Sequence, residues 1–184
     1  MNCAPPPPAA AAPPRSAVAF MLAVLSTPVA ATKAALARDA LCAWQTGTLP
    51  PFADGDGEPP PRPARDDSLA TCEPADAPRR GRGGSLASRV ALLHSLAHIE
   101  SWAIDLAADL VARFGRAENL PPAFYGDWLE VAAEEATHHE ALVARLTACG
   151  SFYGALPSHN GLWQSAEATC VHHTYAICVK CSLI

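Results

Sequence analysis

Two long stretches of the chain, 86–114 and 122–149, repeat apolar residues at helical spacing, and each carries a glutamate inside its apolar sector. At 100° per residue, Leu93, Leu96, Ile99, Ala103, Ile104, Leu106, Ala107, Leu110, Val111 and Phe114 share one side of the first stretch. Glu100 lies within that side, whereas His94, His98, Asp105 and Asp109 are expected on the opposite, solvated side. In the second stretch Trp128, Val131, Leu142, Val143 and Leu146 share a side. Glu135 sits near its centre, His138 and His139 at its edges, and Glu130, Glu134, Thr137 and Arg145 lean outward. A carboxylate cannot be buried alone, so both glutamates must be neutralised, paired or bound to a metal.

The boundaries of these helices are well marked. Ser85 is the N-cap candidate for a helix from about Leu86 to Phe114, with Gly115 as its stop. The second helix starts between Pro122 and Asp127 and ends near Cys149, with Gly150 as its stop. The short connection between them makes them antiparallel neighbours. Upstream, residues 1–15 are a Pro/Ala tail, expected to be disordered. Residues 17–46 read as one or two helices broken near Pro28, with Thr27 and Pro28 as N-cap and first helical residue and Gly47 as the stop. The apolar run from Ala17 to Leu25, with Arg15 before it and Val29-Ala30-Ala31 after it, also has the form of a signal peptide. The stripe Leu36, Ala40, Leu41 and Trp44 favours a buried helix instead. Residues 47–84 form a Pro/Gly/Asp/Arg-rich linker that must wrap the surface or stay mobile. A loop over 151–161 and a short helix from Leu162 complete a domain spanning 17–169. The fold class expected is all-α, an incomplete helical bundle built on two long antiparallel core helices.

The net charge of −5 argues against general nucleic-acid binding, and the short run Arg79, Arg80 and Arg82 lies among glycines as a solvated linker would. Seven cysteines in no disulfide framework point to a reducing, intracellular and cytoplasmic setting. No apolar run approaches the ~20 residues of a membrane-spanning helix, so no membrane partner is expected.

The spacing Glu135-x-x-His138 lets both side chains converge on one ion from one helix, and Glu100 can reach the same point from the neighbour. Carboxylate oxygens with an imidazole nitrogen suit iron or manganese. A Glu from one helix and Glu-x-x-His from the next are half of the ligand set of a di-metal ferritin-like bundle. An interhelical Glu–His or Glu–Arg pair would satisfy the glutamates equally well. His94, His98 and His139 are candidates for groups that orient the ligands, or, for the first two, a zinc pair; a solvated polar face is the preferred reading of His94 and His98. Cys170, His172, His173, Cys178 and Cys181 crowd the last residues, but their spacing matches no standard finger and zinc is not expected there.

The segments ALLHSLAHIESWAIDLAADLVARF (91–114), LPPAFYGDWLEVAAEEATHHEALVARLTACGSFYGALPSHNGLW (120–163) and PPRPARDDSLATCEP (60–74) resemble an uncharacterised ferritin-like family, one of the domain-of-unknown-function families. The resemblance runs from about Val18 to Thr169 and is carried chiefly by HIE and DWLEVAAEEATH. It implies a ferritin-like bundle with Glu100, Glu135 and His138 as metal ligands, and it implies that residues 24–50 are the family's opening helix. Three departures stand out. Ala133 replaces a usual Asp, His139 replaces a usual aromatic, and after GLWQSAEAT the expected second Glu and Glu-x-x-His give way to a divergent Cys/His tail over 170–184, as in a truncated isoform. The expectation is therefore an oxidoreductase-type di-metal protein in its complete form, here with half a site. The alternatives are a non-catalytic remnant or interaction module, and a homodimer that completes the site.

Overall fold

The computed structural model of the chain describes residues 14–73, 76, 84–116 and 120–169. Five helices follow in order: α1 Ala17–Ser26, α2 Ala30–Gln45, α3 Leu86–Phe114, α4 Pro122–Ala148 and α5 Gly161–Thr169. Among the described residues there is no strand, only one isolated parallel bridge between Thr71 and Ser158, so the fold is all-α.

The two long helices have the ends their sequence marks. Ser85 caps α3 through its Oγ, which accepts from Ser88 N at 3.1 Å. Gly150 follows α4 at φ +76°, a conformation that favours glycine. Gly115 ends α3 for a different reason. Its φ is −56°, but a Cβ there would lie 2.9 Å from the Tyr125 ring and 3.1 Å from Val18. Gly115 is a close-approach position where α1, α3 and α4 meet, and the Tyr125 hydroxyl donates to its carbonyl.

The break near Pro28 yields two helices. Thr27 closes α1, its hydroxyl donating to Ala23 O at 2.8 Å, and the N-cap of α2 is Val29 rather than Thr27. Ala17, Val18, Phe20, Met21, Val24 and Leu25 of α1 pack with Ile104, Ala107, Ala108 and Val111 of α3 and with Leu129, Ala132 and Ala136 of α4 in the main core. The apolar run at the start is thus core helix. Residues 47–73 wrap the bundle, held by Ala17 N and Val18 N donating to Pro50 O and Pro51 O and by Ala64 N donating to Leu25 O. Helix α5 lays Trp163 against Trp102 of α3 with ring centroids 5.7 Å apart. The Pro/Ala tail and the Cys/His tail, with the zinc ligands weighed there, lie outside the described residues.

The expected solvated face of α3 does not exist. Every residue from Ser101 to Ala112 is buried, and His94, His98, Asp105 and Asp109 are between 0% and 8% exposed. Conversely Ile99, expected in the core, is 44% exposed. The reason is that α3 is central. From Ser101 onward α1, α4, α5 and the wrapping segment together cover it, so a two-sided wheel has no solvent face to find over that half. The charges so buried are paired. Lys33 of α2 donates to Asp105 Oδ1 at 2.5 Å, and Arg65 of the wrapping segment meets Asp105 Oδ2 at 2.7 Å. Arg113 grips Asp109 at 2.6 and 3.1 Å.

Candidate metal centre

Glu100 reaches the site from α3, and Glu135 and His138 reach it from successive positions on one face of α4. One ligand atom from each lies within 4.8 Å of the others. Glu100 is half-buried, the Glu135 side chain is 12% exposed, and His138 is open to solvent at 57%. His138 Nδ1 donates to Glu135 Oε2 at 3.1 Å. The structure brings together the three residues expected from the spacing.

The electrostatics of the group follow from its contacts. Partial burial, then the hydrogen bond and negative charge of Glu135, push the Glu100 carboxyl up to about 7, against a smaller opposing pull from His138. The bond to Glu135 holds His138 above the ordinary histidine range. Two carboxyls side by side share a proton or a cation. Their oxygens with one imidazole nitrogen form a donor set suited to a hard or borderline divalent ion. The N-terminal half of α3 exposes Leu92 and Ile99.

His94, His98 and His139 do not join this group; each commits at least one ring nitrogen elsewhere. His94 Nε2 accepts from Gly154 N at 2.9 Å and Leu156 N at 3.4 Å, tying the 151–160 loop to α3. His98 Nε2 lies 3.1 Å from both Trp102 Nε1 and His159 O, and its Nδ1 lies 3.0 Å from Tyr153 Oη. Tyr153 in turn meets Ser101 Oγ at 3.1 Å, and that hydroxyl donates to His98 O. Burial, helped by the charge of Arg65, holds His98 down to about 4, and burial lowers His94 as well. His139 Nδ1 donates to Ala97 O at 2.8 Å.

Sequence reasoning missed the layer formed by Lys33, Arg65, Asp105, Ser101 and Tyr153, in which the Arg65 guanidinium also lies 3.5 Å over the Trp102 ring. A signal for it exists: Asp105 and Asp109 recur at i, i+4 inside an otherwise apolar run of Ile, Leu, Ala and Val, where a solvated face would carry more than two polar groups.

The chain matches the model of a family described as proteins of unknown function (DUF455) over residues 26–181, a span that runs past Thr169 into the Cys/His tail. An uncharacterized protein of Haemophilus influenzae is 43% identical over 105 residues, covering 52% of this chain and 34% of that protein. The chain thus spans about a third of that relative's length. No solved structure matches the chain. No helix among the described residues is long and apolar enough to cross a membrane.

Proposed function

We infer a metal-binding function for this chain, which belongs to the DUF455 family of proteins of unknown function. Glu100, Glu135 and His138 would hold one divalent ion, iron or manganese, as half of a carboxylate–histidine di-metal centre of the ferritin-like kind. The observation that carries this reading is the convergence of two carboxyls and an imidazole from two helices on one point, with the first carboxyl raised to about 7 by burial and by the second. A bound cation relieves that repulsion directly. When bound, two such metals supply oxidoreductase chemistry by activating oxygen or peroxide. The protein's own part is to orient the carboxylates, keep the His138 proton on Glu135 or release it to ligation, and shield one side with α3 and α4.

The ligand count limits the activity. A complete centre takes four carboxylates and two histidines, and one three-ligand cluster is found among the described residues. That count favours the second reading, a non-catalytic interaction module, for an isolated chain, and a two-fold homodimer pairing two triads is the arrangement that restores six ligands. Manganese(II) titration followed by electron paramagnetic resonance tests the triad. Glu135→Gln and His138→Ala should each weaken binding at least tenfold, and Glu130→Gln, on the exposed face of α4, should not. Equal affinity in all four proteins would remove the metal reading.

A further inference from the structure

On the side of α4 where His139 lies, a cleft of about 440 Å³ opens between the start of α2, the 66–69 stretch of the wrapping segment and the 152–154 loop. Its volume falls within the range of small-molecule sites. Leu69 and Val143 form apolar walls, and Phe152, 64% exposed, stands at the rim.

Three polar features converge on it. The first is His139, 3% exposed. Its Nδ1–H is committed to Ala97 O, so its Nε2 carries a bare lone pair. That atom has no hydrogen-bond partner among the described residues, and His139 lines the cleft. The second is the N-terminus of α2. Val29 is its N-cap and has no side-chain acceptor to offer, and the N–H groups of Ala30 and Ala31, both lining the cleft, are satisfied by no hydrogen bond. Such a helix start attracts a carboxylate. The third is Asp66, a carboxylate that also lines the cleft, takes a bond from Ser68 N at 2.9 Å and keeps further acceptor capacity.

Free N–H donors at a helix start, an imidazole lone pair and a carboxylate as acceptors, and apolar side chains lining one cleft suit a zwitterion with an apolar body. We propose that this cleft is a second binding site, separate from the Glu100–Glu135–His138 group, that takes an α-amino acid with an apolar side chain. Its carboxylate lies on the amides of Ala30 and Ala31, its ammonium donates to His139 Nε2 and Asp66, and its side chain packs on Leu69 and Val143.

The probe is L-leucine, titrated into the full ¹⁵N-labelled chain, with the His139 ring nitrogens and the amides of Ala30, Ala31 and Gly154 as the readout. Saturable shifts at all of these positions are expected. Ala30→Pro should weaken binding at least tenfold while the melting temperature stays close to that of the parent. Proline is tolerated at the first helical position, and Val29 before it is already extended at φ −85°, ψ 120°. His139→Phe should also abolish binding, but it removes the bond to Ala97 as well, so Ala30→Pro is the variant that separates binding from folding. Isopentylamine and 4-methylpentanoate, which each lack one charged group, should bind at least tenfold more weakly than leucine. No saturable shift, shifts unchanged in Ala30→Pro, or a single-charge analogue that binds as tightly as leucine would overturn the proposal.

Discussion

Asp105 is the residue on which the buried charge of this molecule turns. It is fully buried and pushed up by that burial, against the opposing pull of Arg65 and Lys33, while burial lowers Lys33 despite Asp105. Removing one member of such a group leaves the others uncompensated, at about 3–5 kcal/mol for a buried pair. Asp105→Ala strands two cations and should cost the upper part of that range. Lys33→Met leaves Arg65 on the carboxylate and should cost less; urea denaturation of the two variants gives the order directly. A second prediction concerns acid. His98, held at about 4 against an unfolded value near 6.5, contributes stability that is present above about 6.5 and is lost as pH falls toward 4. Glu100 acts in the opposite sense. Its folded value of about 7 against 4.5 makes the native state bind the extra proton, so its contribution is lost as pH rises from about 4.5 to 7. The two effects oppose each other between pH 4.5 and 6.5, and the partial exposure of Glu100 reduces its share. The parent chain, kept metal-free with a chelator, should therefore show a shallow dependence. Glu100→Gln should show a clear loss of stability between pH 7 and 5. A steeper acid loss in the parent than in Glu100→Gln would contradict this balance of signs.

Among the elements, the junction of α1, α3 and α4 is the tightest. A methyl group at Gly115 would meet Val111 O at 2.5 Å and the Tyr125 ring at 2.9 Å. Overpacking of this kind costs about 1–3 kcal/mol, so Gly115→Ala should lower the thermal midpoint, whereas Gly126→Ala meets only the edge of the half-buried Trp44 indole at 3.0 Å and should be milder. Differential scanning calorimetry on both variants settles the comparison. This junction also separates what was legible in sequence from what was not. The limits of α3 and α4 were legible because caps and stops are local: Ser85 and Gly150 act on neighbouring backbone. The triad was legible because i, i+3 spacing on α4 is local too, and only the reach of Glu100 needed the antiparallel packing. The solvated face assigned to His94, His98, Asp105 and Asp109 was wrong because what covers α3 there comes from Lys33, Arg65 and Tyr153, far away in sequence. Gly115 does stop α3, as its sequence marks, but the reason was not legible: its constraint lies in Val18 and Tyr125 and not in its own φ.

At the scale of the whole molecule, some apolar side chains and one of the proposed ligands stay open to solvent among the described residues. Leu92 and Ile99 are 37% and 44% exposed on the N-terminal half of α3, and the side chain of His138, a member of the proposed metal group, is 57% exposed. A two-fold axis beside His138 would place two copies of Glu100, Glu135 and His138 together. This arrangement makes a thermodynamic demand. If the second triad supplies ligands, metal binds the dimer more tightly than the monomer, and by linkage the metal must then strengthen dimerisation by the same factor. Sedimentation velocity of the 184-residue chain, run anaerobically with and without iron(II), should show the dimer fraction rising with metal, to a plateau of two irons per dimer measured on the same samples. Glu135→Gln should remove the effect of metal while leaving any metal-independent association in place. Iron bound at one per monomer with no change in mass would confine the protein to a three-ligand site with its remaining positions taken by water, and would place it with non-catalytic binders; two irons per dimer would return it to the oxidoreductase class.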